Sequence, residues 1–225
     1  MSDLRHAPRG EIPVGRPSLA SQRSEEILAA YTRCVGRYGL DGATLERVAQ
    51  ESGFSRGHIR HYLGNREELR EKFLSRLIGR YTEQTRVVYD AAEPGTRSVA
   101  LVHYFFGPDF EPNDDNAAID ATMGAATYDE TLRTNLRTAY LGIESTVHQA
   151  LREDFPGAPA AIYRSTAYQL FTLVFGHWGL MELGFPTGRT RAGIGLALEL
   201  IDSVRRQASE SAPRNGGTKR TRADS

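Results

Sequence analysis

Residues 44–69 read TLERVAQESGFSRGHIRHYLGNREEL, and the fold of this stretch organises the rest of the chain. Thr44 stands where an N-cap belongs, ahead of Leu45, Val48 and Ala49 at i, i+3 and i+4, the spacing of a short helix with one apolar stripe. Arg47 occupies the third helical position, so the cap lacks the glutamate of a reciprocal capping box. Ser52-Gly53 stops this helix, because glycine takes positive φ at little cost, and Phe54 is an apolar plug for the angle that follows. Ser55 caps a second helix with Ile59 and Leu63 facing inward and Arg56, His58, Arg60 and His61 left outside. Two short helices joined by a glycine turn form a helix-turn-helix, whose second helix fits the major groove of B-DNA.

The flanks extend the pattern. Upstream, Ile27, Leu28, Tyr31, Cys34, Val35 and Tyr38 recur at helical spacing behind a cap at Ser21 or Ser24, with Glu25-Glu26 in the first turn. Cys34 lies on that core face and has no second cysteine to resolve an oxidised form, so it is read as a structural thiol. Downstream, Asn65 caps a long helix with Glu67-Glu68 in its first turn, and Leu69, Phe73, Leu77, Tyr81 and Val88 keep it amphipathic to about Tyr89.

These residues are similar to the TetR family of bacterial transcription regulators from Arg23 to about Phe73. The resemblance is carried by Ile27-Leu28-Ala29-Ala30, Tyr38-Gly39, Ala43-Thr44, Val48-Ala49, Ser52-Gly53-Phe54-Ser55-Arg56-Gly57 and Gly64-Asn65-Arg66-Glu67-Glu68-Leu69. The sequence departs from the family's habit at Arg60 and Leu63, where an aromatic is common, and at Arg66, where lysine is common. Resemblance to this family implies that the last two helices pair with those of a second chain in a four-helix arrangement.

Composition sets the frame for the remainder. Charge is balanced, 28 basic against 28 acidic residues, but the front is weakly basic, the body acidic and the tail basic. An acidic body is a poor surface to lay along phosphates, which directs attention to the front. The single cysteine makes an internal disulfide impossible, and no apolar run is long enough to cross a bilayer, so a cytoplasmic protein is expected.

The expected architecture is all-α: a disordered arm over 1–20, a helix-turn-helix DNA-binding domain over 21–66, a linker helix over 67–90, a helical ligand-binding and dimerisation domain over 91–208, and a disordered tail over 209–225. The arm carries Arg5, Arg9 and Arg16 among prolines and glycines. In the body, helices are expected over about 98–106, 116–127, 129–154, 159–183 and 191–207. The fourth of these is hydrophobic around most of its circumference and must be covered on more than one side. Between the first two, Asp109, Glu111, Asp114 and Asp115 lack the alternating ligands and closing glutamate of a calcium loop, and are read as a solvated loop.

For DNA contact the candidates are Ser55, Arg56, His58, Arg60 and His61, with Tyr62 and Arg66 for phosphate and the backbone N–H at Thr44 for a further phosphate. Arg56 and His58 are placed at base edges, since the start of a recognition helix reaches the groove floor. For an apolar cavity in the body the candidates are Tyr104, Phe105, Met123, Tyr140, Phe171, Phe175, His177, Trp178 and Met181. No metal is expected, because His103, His148 and His177 lack ligand spacing, and no cofactor is called for. No phosphate loop, nucleophile elbow or paired-cysteine site appears, which argues against an enzyme. The expected partners are a near-palindromic double-stranded operator, a second copy of the chain and a small apolar effector, with repression relieved by the effector and no membrane involved. The alternative is a helical dimer whose degenerate reading head acts through protein contacts.

Overall fold

A computed structural model describes residues 18–110 and 113–211, apart from the side chains of Asp109 and Thr187. The arginines of the expected arm, Glu111 and most of the expected tail lie outside the described residues. Nine α-helices and no strand are present among those described, so the chain is all-α.

Helix α1 (Leu19–Gly42) begins earlier than the sequence suggested. The Ser18 hydroxyl accepts a hydrogen bond from the Ser21 N–H at 3.1 Å, so Ser18 is the cap and Ser21 and Ser24 lie inside the helix. Its regular part breaks at Gly39, whose φ of 73° and ψ of 170° are open to glycine alone at little cost. Helices α2 (Leu45–Ser52) and α3 (Arg56–Leu63) follow, each started by a hydroxyl: Thr44 accepts from the Arg47 N–H and Ser55 from the His58 N–H. Between them Gly53 closes α2 in the left-handed region at φ 73°. Helix α4 (Arg66–Ala91) opens with a full capping box in which Asn65 and Glu68 exchange side-chain and backbone hydrogen bonds of 3.0 and 2.8 Å.

The body contains α5 (Arg97–Phe105), a tight 3-10 turn at Pro108–Phe110, α6 (Asp114–Ala126), α7 (Glu130–Asp154), α8 (Ala160–Glu182), a second such turn at Thr187–Arg189, and α9 (Thr190–Ser211). Two expectations change here. Asp114 and Asp115 are not loop residues: the Asn113 side chain accepts from the backbone N–H groups of Asp115 and Asn116 and starts α6 at that point. Asp115 is buried, held by Arg80 and Arg76 of α4, and is therefore no part of a solvated cluster. Helix α9 also runs a few residues past its expected end.

Two apolar clusters hold the molecule together. The first joins α1 to α4, with Ile27, Tyr31, Val35, Val48, Ile59, Leu69 and Phe73 fully buried, and it recruits Ala118 and Ala126 of α6 and Leu132 and Leu136 of α7. The second lies among α5, α7, α8 and α9, around Leu101, Leu151, Ala167 and Ile201. Tyr81 of α4 and Tyr140 of α7 pack against both. The head is thus built directly onto the body, chiefly through α6. The α1–α6 contact is the most extensive between any two helices among the described residues. At its closest approach a methyl placed on Gly36 would lie 3.0 Å from the Ala117 Cβ.

Candidate functional site

On the head, Ile59 and Leu63 anchor α3 in the core at 0% and 2% exposure, which turns the opposite side of this two-turn helix outward. Ser55, Arg56, His58, Arg60 and His61 are all exposed, with His58 and His61 opposite the two anchors and Arg56 and Arg60 along one flank, and Tyr62 is half-buried with its ring edge-on to His61 at 5.0 Å. Thr44 is exposed at the start of α2, where first-turn N–H groups have no intrahelical acceptor and can meet an anion. Arg66 is exposed but already engaged: its Nη2 donates to the Asp41 carbonyl at 3.1 Å and lies 3.6 Å from the Asp41 carboxylate. The frame behind is braced by Arg33 and Arg37 of α1, both on Glu51 of α2. Hydrogen bonding from Arg33 chiefly, with the charge of Arg37, holds the Glu51 carboxyl below its ordinary range. Of the residues expected to contact DNA, Thr44, Ser55, Arg56, His58, Arg60, His61 and Arg66 are thus exposed at the starts of α2 and α4 and around α3, and Tyr62 is half-buried.

In the body, five helices surround a cavity of about 290 Å³. Each contributes a single helical stripe or a lone residue: Tyr81 from α4; Ser98, Leu101, Val102 and Phe105 from α5; Asn116, Ile119, Asp120 and Met123 from α6; Tyr140, Ile143 and Val147 from α7; and Leu170, Phe171, Val174, Phe175, Trp178, Gly179 and Glu182 from α8. Phe110 of the tight turn completes the wall. Tyr140, Phe171 and Phe175 form a ring cluster with centroids 4.8 to 5.7 Å apart. Trp178 is pinned by its indole N–H, which donates to the Phe105 carbonyl at 2.8 Å.

The polar groups of this wall are few. Tyr81 donates its hydroxyl to Asn116 and thereby links α4 to α6, and Ser98 is fixed by Asp154. Asp120 and Glu182 are exposed at one end, where Met123 and Gly179 are exposed too, so these four mark the mouth. The Asp120 carboxyl keeps one side in solvent and loses water on the cavity side. That desolvation, and next the charge and hydrogen bond of Glu182, push it up to about 6. Burial, then the Asp120 charge, also raises the Tyr140 phenol.

Residues 27–73 match the family described as "Bacterial regulatory proteins, tetR family". Over 49 residues the chain is 43% identical to the HTH-type transcriptional repressor AcnR of Corynebacterium jeikeium, covering 22% of this chain and 26% of that protein. Over 183 residues it is 26% identical to the HTH-type transcriptional regulator BetI of Paraburkholderia phytofirmans, covering 81% of this chain and 93% of that one. A TetR transcription regulator from Haloarcula marismortui superimposes with a TM-score of 0.68 at 21% identity, over 81% of this chain and 98% of its own. A TetR-family regulator from Cytophaga hutchinsonii does so at 0.66 and 14%, over 84% and 98%. These two share the fold. Residues 27–73 thus match the TetR family's DNA-binding head, and similarity to regulators of this type continues over most of the chain.

The matched segment is the helix-turn-helix of bacterial regulatory proteins, and the chain is similar to transcription regulators rather than to enzymes. Among the described residues no helix is long and apolar enough to cross a membrane. Of the nine residues expected to line a body cavity, Phe105, Met123, Tyr140, Phe171, Phe175 and Trp178 do line this one. Three do not. Tyr104 turns aside from its neighbour Phe105 to meet Phe110 edge-on. His177 is buried against the rings of Phe106 and Trp178, bonded to the Thr190 hydroxyl at 3.2 Å, and burial lowers its pKa. Met181 is buried one turn after His177, off the lining stripe of α8. The acids at the mouth escaped the sequence reading. Their only signal is isolation: Asp120 is a lone charge within AAIDATMGAA, and Glu182 ends the most apolar helix.

Proposed function

We propose that the chain is a dimeric repressor that holds a near-palindromic operator with two copies of α3 and leaves it when a small, largely apolar molecule fills the body cavity. The observation that carries this reading is the double role of α6. Asn116, Ile119, Asp120 and Met123 line the cavity, while Ala117 and Ala118, on the other side of the same helix, meet α1 near Gly36. Close-packed helices move as units, so a ligand that shifts α6 must shift the head. Helix α4 is tied to the same lever: Arg76 bonds Glu25 of α1 at 2.9 Å, and Arg76 and Arg80 both pair with Asp115 of α6.

Support for a dimer comes from α8. Its outer side carries Tyr168, Thr172, Gly176 and Leu180 at four-residue spacing, all exposed, and Leu183 just beyond is 76% exposed. Leu196 of α9 is also exposed. An apolar stripe around a small residue suits an isologous helix pairing, with the two reading heads spaced for successive major-groove faces. Such a regulator would work in the cytoplasm, where its operator is.

Release follows from a preference for one state, and its extent is bounded by that preference. The test is operator affinity, measured by fluorescence anisotropy in the presence of a panel of small apolar and aromatic compounds. At least one should weaken binding in a way that saturates. A panel without effect, against an operator that binds well, would leave a constitutive or protein-controlled regulator instead.

A further inference from the structure

The cavity is apolar nearly throughout, yet its mouth holds two neighbouring carboxyl groups, those of Asp120 and Glu182. Among the described residues neither Asp120 nor Glu182 forms an ion pair with an arginine, lysine or histidine. Elsewhere in the body the acids that face inward are neutralised: Asp115 by Arg80 and Arg76, Glu153 by Arg97, Asp129 by Arg70. An uncompensated pair beside a desolvating wall is a standing cost that a bound positive charge would remove. Just inside the mouth lie the ring cluster of Tyr140, Phe171 and Phe175 and the indole of Trp178, whose π faces attract cations and repel anions.

We propose that the ligand this cavity takes is an organic cation, its charged nitrogen seated between Asp120 and Glu182 and its apolar part among Tyr140, Phe171, Phe175 and Trp178. The proposal rests on the reading of the cavity as the effector site and adds the charge of the effector. A carboxylate-bearing ligand is rejected at the same mouth by like-charge repulsion.

Trp178 is the chain's one tryptophan and lines the cavity, so its fluorescence reports occupancy directly. The probes are phenyltrimethylammonium, its uncharged isostere tert-butylbenzene, and benzoate, each titrated into the full-length protein without DNA. The cation should bind about ten-fold or more tighter than the isostere, and benzoate weakest of the three. In the double variant Asp120→Asn with Glu182→Gln the preference for the cation should fall to near one while tert-butylbenzene binds as before, which also shows that the cavity is intact. Asp120→Asn alone should give an intermediate preference. A wild-type protein that binds the hydrocarbon or benzoate as well as the cation, or a cation preference that survives both substitutions, overturns the proposal while the cavity stands. If none of the three perturbs Trp178, both the proposal and the effector reading of the cavity fall.

Discussion

Replacing Gly36 by alanine would place a methyl group 3.0 Å from the Ala117 Cβ and 3.5 Å from the backbone carbon of Ala117 and nitrogen of Ala118. Carbon atoms settle at about 3.5–4.0 Å, so α1 and α6 must part by roughly 0.5–1 Å at their crossing. No flexible side chain is available to yield, because the obstacle is an alanine and a helix backbone. Overpacking of this kind costs about 1–3 kcal/mol, while exchanging a helical glycine for alanine returns about 1 kcal/mol of propensity. The expected net loss is about 0–2 kcal/mol. Gly142 of α7, with nothing within 4 Å of its added methyl, is the control, and Gly142→Ala should stabilise by about 0.5–1 kcal/mol. Urea denaturation of the two variants beside wild type gives both numbers. Because α1 carries the head and α6 lines the cavity, Gly36→Ala should also change operator affinity several-fold although it touches neither DNA nor ligand. A Gly36→Ala protein as stable as Gly142→Ala, with unaltered operator affinity, would refute the close α1–α6 coupling.

Three further expectations follow from particular residues. Gly64 sits at φ 88° and ψ −154°, between α3 and the capping box of α4, so Gly64→Ala should cost about 1–3 kcal/mol in thermal or denaturant unfolding; an unchanged midpoint would contradict that backbone. Asp120, faced by Glu182 from α8 and by Tyr140 from α7, is raised from 3.8 to about 6 in the folded protein, so the native state keeps a proton that the unfolded chain releases. Its contribution to stability is present below the unfolded value and is lost as pH rises through the folded one. Asp120→Asn should therefore stabilise the ligand-free protein at about pH 7, by on the order of 1 kcal/mol after discounting for solvent at the mouth, and change little at about pH 4; equal effects at both would mean a fully screened pair. Tyr168→Asp with Leu180→Asp puts charge on the exposed stripe of α8, and analytical ultracentrifugation should find monomers; a dimer that persists would locate the pairing elsewhere.

The head was legible in the sequence because its signals are local. Thr44, Ser55 and Asn65 are caps, Gly53 is a left-handed stop, and Val48, Ile59 and Leu69 keep helical spacing, each readable within a few residues. The body gave up its helices but not their orientations. Helix α8 is apolar on nearly every side, so periodicity could not separate Phe171, Phe175 and Trp178, which line the cavity, from His177 and Met181, which face away from it. Helix α6 was harder still. Ala117 and Ala118 on one side and Ile119 and Met123 on the other leave no polar face to give it direction, because α1 covers one side and the cavity lies against the other. Asp115 and Asp120 show the same limit: two aspartates five residues apart, one neutralised by arginines from a distant helix and one left at a mouth, a distinction made by tertiary contacts alone.

The most direct test is selection of duplexes from a random pool by the full-length protein, followed by anisotropy titration of the enriched DNA with wild type and with Arg56→Ala/Arg60→Ala. The account predicts a near-palindrome with half-sites about one helical turn apart, an affinity that falls steeply with salt, and loss of specific binding in the double variant despite a wild-type melting curve. No enriched sequence together with no salt-dependent binding to random duplex, or an operator held equally well without those two arginines, would contradict the assignment of α3 as the reading helix.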